Sequence, residues 1–212
     1  MANILKQNRL FWERCFSNSG FDFKLPPKRR ISEVVKRLRK YNVSKVLDLG
    51  CGFGRWSIAL ARAGFQVKAV DISSEAIKRL TKWANQKSLS IETKVSSAQR
   101  LVSIGEKVDA VICNSVLDHM LSSEASKSML NLKNALKFGG IAYLSFDGLD
   151  QEDKDKHVSL EDSTRRYTEG KLKGMLWRFY SNEEIRSLCK DMEVLEFIEN
   201  SNGKREVWIR KK

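Results

Sequence analysis

A chain of 212 residues, 42% of them apolar, has enough material for one domain around a single core. No apolar run approaches the length that spans a bilayer, and Lys6, Arg9, Glu13 and Arg14 interrupt the N-terminus where a signal peptide is apolar, so a cytoplasmic protein with no membrane partner is expected. A formal charge of +13 would attract nucleic acid or an acidic substrate, but no aromatic-basic motif of an RNA-binding module interleaves with clusters such as Lys28-Arg29-Arg30 and Arg210-Lys211-Lys212; a solvated basic surface is the simpler reading, and nucleic acid is a disfavoured partner.

The N-terminal stretch carries Leu10, Phe11, Trp12 and Phe16 among charges, the pattern of a short amphipathic helix. Residues 1–30 are therefore expected to form a helical cover over the domain or a cleft, ended by Pro26-Pro27. Ile31, Val34, Val35 and Leu38 then mark a helix with one buried stripe and a basic opposite face.

Val46, Leu47 and Leu49 read as a strand buried on both faces, and the chain then turns through Gly50, Gly52 and Gly54 into a helix bearing Trp56, Leu60 and Ala63, with Gly64 as its cap. Asp48 within that strand is costly to bury unless hydrogen-bonded, so it either ties down the turn or meets a polar ligand. Glycines at alternate positions permit positive φ and let a ligand approach the backbone. The next strand, Phe65 to Asp71, ends in an acid about twenty residues past the first glycine, the spacing at which a dinucleotide fold places its ribose-binding carboxylate. Taken singly, such an acid is more often a turn cap.

Ser73 or Ser74 caps a helix marked by Ala76, Ile77, Leu80 and Trp83. Ile91 to Val95 is a third strand and Val108 to Cys113 a fourth; a long helix from about Ser123 ends at Gly139-Gly140, and Ile141 to Phe146 is a fifth strand. Asp147 to Gly174 is polar and lacks either period, as an insertion or mobile flap would. Ser181 to Glu184 is a capping box, and Glu193 to Ile198 with Arg205 to Arg210 reads as a hairpin around Asn200-Ser201-Asn202-Gly203. Residues 31–212 thus form an α/β fold: a doubly wound, mostly parallel seven-stranded sheet finished by an antiparallel hairpin. Cys15, Cys51, Cys113 and Cys189 are far apart with no C-x-x-C pair, and His119 and His157 are the only imidazoles, so neither disulfides nor a metal centre is expected.

At this point the chain resembles the class I S-adenosylmethionine-dependent methyltransferases, small-molecule branch, over roughly residues 30 to 212. Val46 to Gly54 is similar to that family's acid-G-x-G-x-G motif, and Leu136-Lys137-Phe138-Gly139-Gly140 to its helix-ending signature. Trp177 to Ser181 with Glu184 resembles the aromatic stretch before its last helix. The resemblance implies S-adenosylmethionine as cofactor, with Asp48, Gly50, Cys51, Gly52 and Gly54 along its methionine part, Asp71 on the ribose hydroxyls and Ile72 against the adenine. Asn114, Ser115 and Val116 would lie beside the methyl-bearing sulfur. Ser97 and Gln99 flank Ala98 where the family often has an acid, so adenine recognition falls to Gln99 or to backbone there.

His119, five residues past Asn114, is the imidazole placed to orient or deprotonate an acceptor; the alternative is a loop histidine capping the next helix. Asp118 should border the same cleft, and Trp12, Tyr167 and Trp177 are candidates for the acceptor pocket, although such aromatics are more often core. A small-molecule acceptor and a monomer or homodimer are expected. A nicotinamide oxidoreductase, an RNA methyltransferase and a cofactor-binding protein without transferase activity are the competing readings; Arg55, where a third dinucleotide glycine would fall, and the terminal hairpin speak against the first.

Overall fold

Strand β1 (Lys45–Leu49) lies near the middle of the sheet because both of its faces are apolar. Val46 packs with Val34, Leu38 and Trp56 on one side, while Leu47 and Leu49 join Leu132, Ile185 and Val207 on the other. The computed structural model describes residues 2–17, 25–103, 105–148 and 155–212. Helix α1 (Ala2–Ser17) precedes α2 (Lys28–Lys40). After β1 come α3 (Arg55–Arg62), β2 (Gln66–Asp71), α4 (Ser74–Gln86), β3 (Ile91–Val95), β4 (Val108–Asn114), α5 (Ser122–Ala135) and β5 (Leu136–Phe146). Three short strands follow, β6 (His157–Ser159), β7 (Arg165–Tyr167) and β8 (Leu176–Trp177), then α6 (Asn182–Leu188), β9 (Glu193–Glu199) and β10 (Arg205–Arg210).

Among the described residues the main sheet has seven strands in the order β3-β2-β1-β4-β5-β10-β9. The first five run parallel, and β10 is antiparallel to both β5 and β9. The chain winds outward from β1 to β3 and then returns to place β4 on the other flank of β1. That reversal is a topological switch point, and open α/β sheets bind ligands at the carboxyl ends of the strands beside it, here β1 and β4.

Local caps set the ends of the elements. Ser73 is the N-cap of α4, its Oγ accepting from the Ala76 amide, and Ser181 with Glu184 makes the reciprocal capping box of α6. The basic face of α2 is partly used inside the molecule: Arg30 pairs with Glu206 at 2.9 Å and Arg37 with Glu196 at 2.6 Å, docking the helix on the terminal hairpin.

Two expectations need correction. The long helix does not run to Gly139-Gly140; it stops at Ala135, where buried Leu136 turns extended and pairs with Val108. The two glycines instead sit in an irregular start of β5, where a Cβ on Gly140 would lie 3.0 Å from the Asp109 carbonyl. The stretch from Asp147 to Gly174 is not without regular structure, although residues 149–154 lie outside the described ones. Strands β6 and β7 from this stretch join β8 just beyond it in a separate antiparallel sheet. With two or three residues each, these strands are too short to display the alternation by which a strand is read.

Candidate active site

The glycine turn leaves β1 with Gly50, Gly52 and Gly54 all at positive φ, 69°, 52° and 79°. Their bare α-carbons serve different ends. A Cβ on Gly50 would meet Val116 Cγ2 at 2.4 Å, and one on Gly54 would meet Leu80 Cδ1 at 2.3 Å, so these two admit the protein's own side chains. Gly52 faces outward toward the ring of Phe16, with the nearest ring carbon 3.1 Å from where its Cβ would stand. Buried Cys51 accompanies them, its amide and that of Gly50 donating to the Val70 carbonyl at 3.0 and 2.8 Å.

Asp48 resolves its own alternative toward the turn. Its Oδ2 accepts from the Ser57 amide at 2.8 Å and from Ser57 Oγ at 2.5 Å, a carboxylate at the N-terminus of α3. Burial pushes its carboxyl up to about 6, against the lowering pull of those hydrogen bonds. Asp71, only 6% exposed, accepts from the Gly52 amide through Oδ2 and from the Ser73 amide through Oδ1, both at 2.8 Å. Burial raises it also to about 6. Ile72 beside it is half-buried.

At the mouth of β4, Ser115 takes a positive φ of 51°, rare for a residue with a side chain. Its amide donates to the carbonyl and Oγ of Ser145, which in turn donates to Asn114 Oδ1 at 3.1 Å. Val116, Asp118 and His119 follow on a 3-10 turn, Leu117–His119. Of the residues expected to recognise adenine, Ala98 is buried and its carbonyl accepts from Asn131, while Gln99 reaches Met120 Sδ at 3.8 Å.

His119 Nδ1 lies 3.1 Å from the Leu176 carbonyl. A carbonyl only accepts, so Nδ1 carries a proton. Nε2 faces Asp147 Oδ2 at 3.9 Å. Trp12 meets the imidazole edge-on, with centroids 5.1 Å apart, and Trp177 lies at 6.2 Å. The Trp177 Nε1 is buried and has no hydrogen-bond partner among the described residues. Tyr167, 1% exposed, stands behind Trp177 at 6.4 Å and belongs to a cluster with Phe11 and Met175, so it supports the wall and does not face the cleft.

Asp118 is fully buried, its Oδ2 accepting from the Asp147 amide at 2.9 Å and its Oδ1 unpartnered among the described residues. Burial pushes its carboxyl up; His119 opposes that rise and Asp147 adds to it. Asp118, His119 and Asp147 each bring a ligand atom within 4.8 Å of the others, an arrangement that suits a positive charge. Lys204 Nζ, 3.4 Å from Asp147 Oδ1, supplies one.

Two residues escaped sequence reasoning. Glu13 of α1 accepts from Ser73 Oγ at 2.7 Å, from the amide and Oγ of Ser74 at 2.9 Å and from the Glu75 amide at 3.2 Å, beside Asp71. Burial alone would raise its carboxyl, yet these bonds together hold it below the usual range. Asn8, on the same helix, binds the backbone of both His119 and Leu176. The one sequence signal for it is a polar residue four before Trp12 and eight before Phe16, in line with an inward-facing stripe.

Residues 46–140 match a family described as "Methyltransferase domain". Over that span the chain resembles a methyltransferase domain. The chain is 31% identical over 120 residues to a ubiquinone biosynthesis O-methyltransferase of Rickettsia canadensis, covering 55% of this chain and 50% of that protein. It is 36% identical over 132 residues to a glycine/sarcosine N-methyltransferase of Aphanothece halophytica, covering 58% and 49%. The chain thus spans about half the length of these curated relatives. Magnesium protoporphyrin IX methyltransferase from Synechocystis PCC 6803, solved with bound SAM, superposes with a TM-score of 0.67 at 19% identity over 97% of each chain, a likeness of fold. No helix among the described residues is long and apolar enough to cross a membrane.

Proposed function

We propose that this methyltransferase moves a methyl group from S-adenosylmethionine to a small molecule whose accepting oxygen or nitrogen carries a proton. The observation that carries the reading is His119 itself, at the carboxyl end of β4, with Nδ1 held by the Leu176 carbonyl and its ring flanked by Trp12 and Trp177.

The residues present fit the cofactor. Asp71 accepts from the amides of Gly52, Ser73 and Ile72 and keeps a lone pair for a ribose hydroxyl. Gly52 offers backbone without a side chain, and Asn114, Ser115 and Val116 close the far end of the crevice. When bound, the sulfonium supplies an activated methyl with a good leaving group. The chain's own task is then placement: holding the acceptor atom in line and excluding water, for which effective molarities of about 10⁵ to 10⁸ M are available. His119 Nε2 takes the acceptor's proton as its nucleophilic atom is methylated. The two indoles favour a planar molecule.

The test is turnover with isotopically labelled methyl donor over a panel of hydroxylated and amino aromatic acceptors, beside calorimetry with S-adenosylhomocysteine. Transfer to one such acceptor supports the reading; tight cofactor binding with no transfer to any acceptor would favour a sensor, and label recovered in RNA alone would replace the small-molecule acceptor.

A further inference from the structure

Three hydrogen bonds form a closed ring that ties α1 to His119. His119 Nδ1–H donates to the Leu176 carbonyl at 3.1 Å, the Leu176 amide donates to Asn8 Oδ1 at 3.2 Å, and Asn8 Nδ2 donates to the His119 carbonyl at 2.9 Å. The orientation of the Asn8 amide is decided by its partners, because the Leu176 N–H needs an acceptor and the His119 carbonyl needs a donor. Leu176 is fully buried and Asn8 is 9% exposed. Strand β8 is two residues long and pairs only with β7 in its sheet, so the outer edge of Leu176 is bare of any ladder. Asn8 and His119 satisfy that edge between them.

We infer that Asn8 is a positioning residue for the transfer reaction: it holds the Leu176 peptide where its carbonyl keeps the proton of His119 on Nδ1, leaving Nε2 free toward the acceptor. The inference rests on the reading of His119 given above. One helical turn on, Trp12 braces the same ring, so α1 both orients the imidazole and walls its cleft. Without Asn8 the Leu176 amide is left buried and unpaired, β8 shifts toward another partner, and the imidazole loses its fixed acceptor. An asparagine inside a helix is a weak helix former, and here its two-sided amide has a use that a leucine in the same stripe would lack.

The experiment is long-range proton–nitrogen correlation NMR of the imidazoles in the full chain, with His157→Gln to assign the second ring, together with steady-state kinetics on an acceptor from the panel. The wild-type spectrum is expected to show His119 protonated on Nδ1 alone; protonation on Nε2 overturns the inference without any variant. Asn8→Ala is expected to give mixed tautomers and a kcat lower by about tenfold to a hundredfold, with the cofactor KM unchanged. Asn8→Asp keeps the acceptor for Leu176 and loses only the donor to His119, so its loss should be smaller. A folded Asn8→Ala with the wild-type spectrum and kcat, differing only in melting temperature, would reduce Asn8 to an anchor of α1. A changed spectrum with undiminished turnover upholds the hold of Asn8 on the ring and instead removes His119 from the reaction.

Discussion

Asp71 Oδ2 accepts from the Gly52 amide at 2.8 Å, which couples the tip of the glycine turn to the end of the neighbouring strand. One carboxylate therefore shapes the loop and, in the proposed function, also serves the ribose. Asp71→Ala removes both, and hydrogen bonds to a charged group contribute about 1.5 to 3 kcal/mol each. Affinity for S-adenosylhomocysteine should fall by roughly tenfold or more by calorimetry. Asp71→Asn, which keeps one acceptor oxygen, should lose less. Unchanged affinity in the alanine variant rejects the ribose assignment.

The same burial makes stability depend on pH. Asp48 titrates near 3.8 when unfolded and near 6 when folded, because burial outweighs the bonds from Ser57. Below pH 3.8 it is protonated in both states and its full contribution is present. As pH rises toward 6 the unfolded chain releases the proton first, so that contribution is lost, by roughly 3 kcal/mol once both states are ionised. Asp48→Asn retains an oxygen for Ser57 but has no charge to bury. Urea titrations should show the variant gaining on wild type between pH 4 and pH 7, while Asp71 keeps its own share of the slope. A stability difference that is constant across that range contradicts a buried, raised carboxyl.

What the sequence made legible was local. The strand, glycine turn and helix from Val46 to Ala63, the Ser73 cap, the Ser181 box and the terminal hairpin each announce themselves within about twenty residues, through burial pattern and cap chemistry. The seat of α1 was not legible: Asn8 meets His119, and Glu13 meets Ser73, across long separations that leave no local pattern. The glycine turn was half legible. Residue type permits positive φ at all three positions, but the packing of Val116 onto Gly50 and of Leu80 onto Gly54 is a tertiary fact. Asp48 could be read as a turn tie or a ligand group from its place in the strand, and only the position of Ser57 decides for the tie.

His119→Ala tests the chemistry apart from the fold. The ring is half-buried and its removal leaves the Leu176 carbonyl without that donor, a modest structural change. If Nε2 accepts the proton of the acceptor, kcat should fall by about a hundredfold or more. Cofactor affinity should stay the same, since neither Asp71 nor the glycine turn contacts this ring. Equal losses in kcat and in cofactor binding would mean that the substitution disturbed the crevice as a whole, and full activity would exclude the proton transfer.

Phe16 links the cover helix to the glycine turn. Its ring stands over Gly52, meets Phe53 edge-on at 4.9 Å and stacks with Trp12 at 6.0 Å. A cofactor lying along the glycine turn has to pass this ring, so α1 must tilt or Phe16 must swing for entry and release. Aromatic pairs contribute about 0.5 to 1.5 kcal/mol beyond the area they bury. Losing these contacts in Phe16→Ala should therefore speed release of S-adenosylhomocysteine by up to about tenfold. Trp12 reports the event directly, because its indole loses the stacked ring and its fluorescence should follow release in a stopped-flow displacement. A release rate equal to that of wild type would show that the cofactor leaves by a route that does not pass beneath α1.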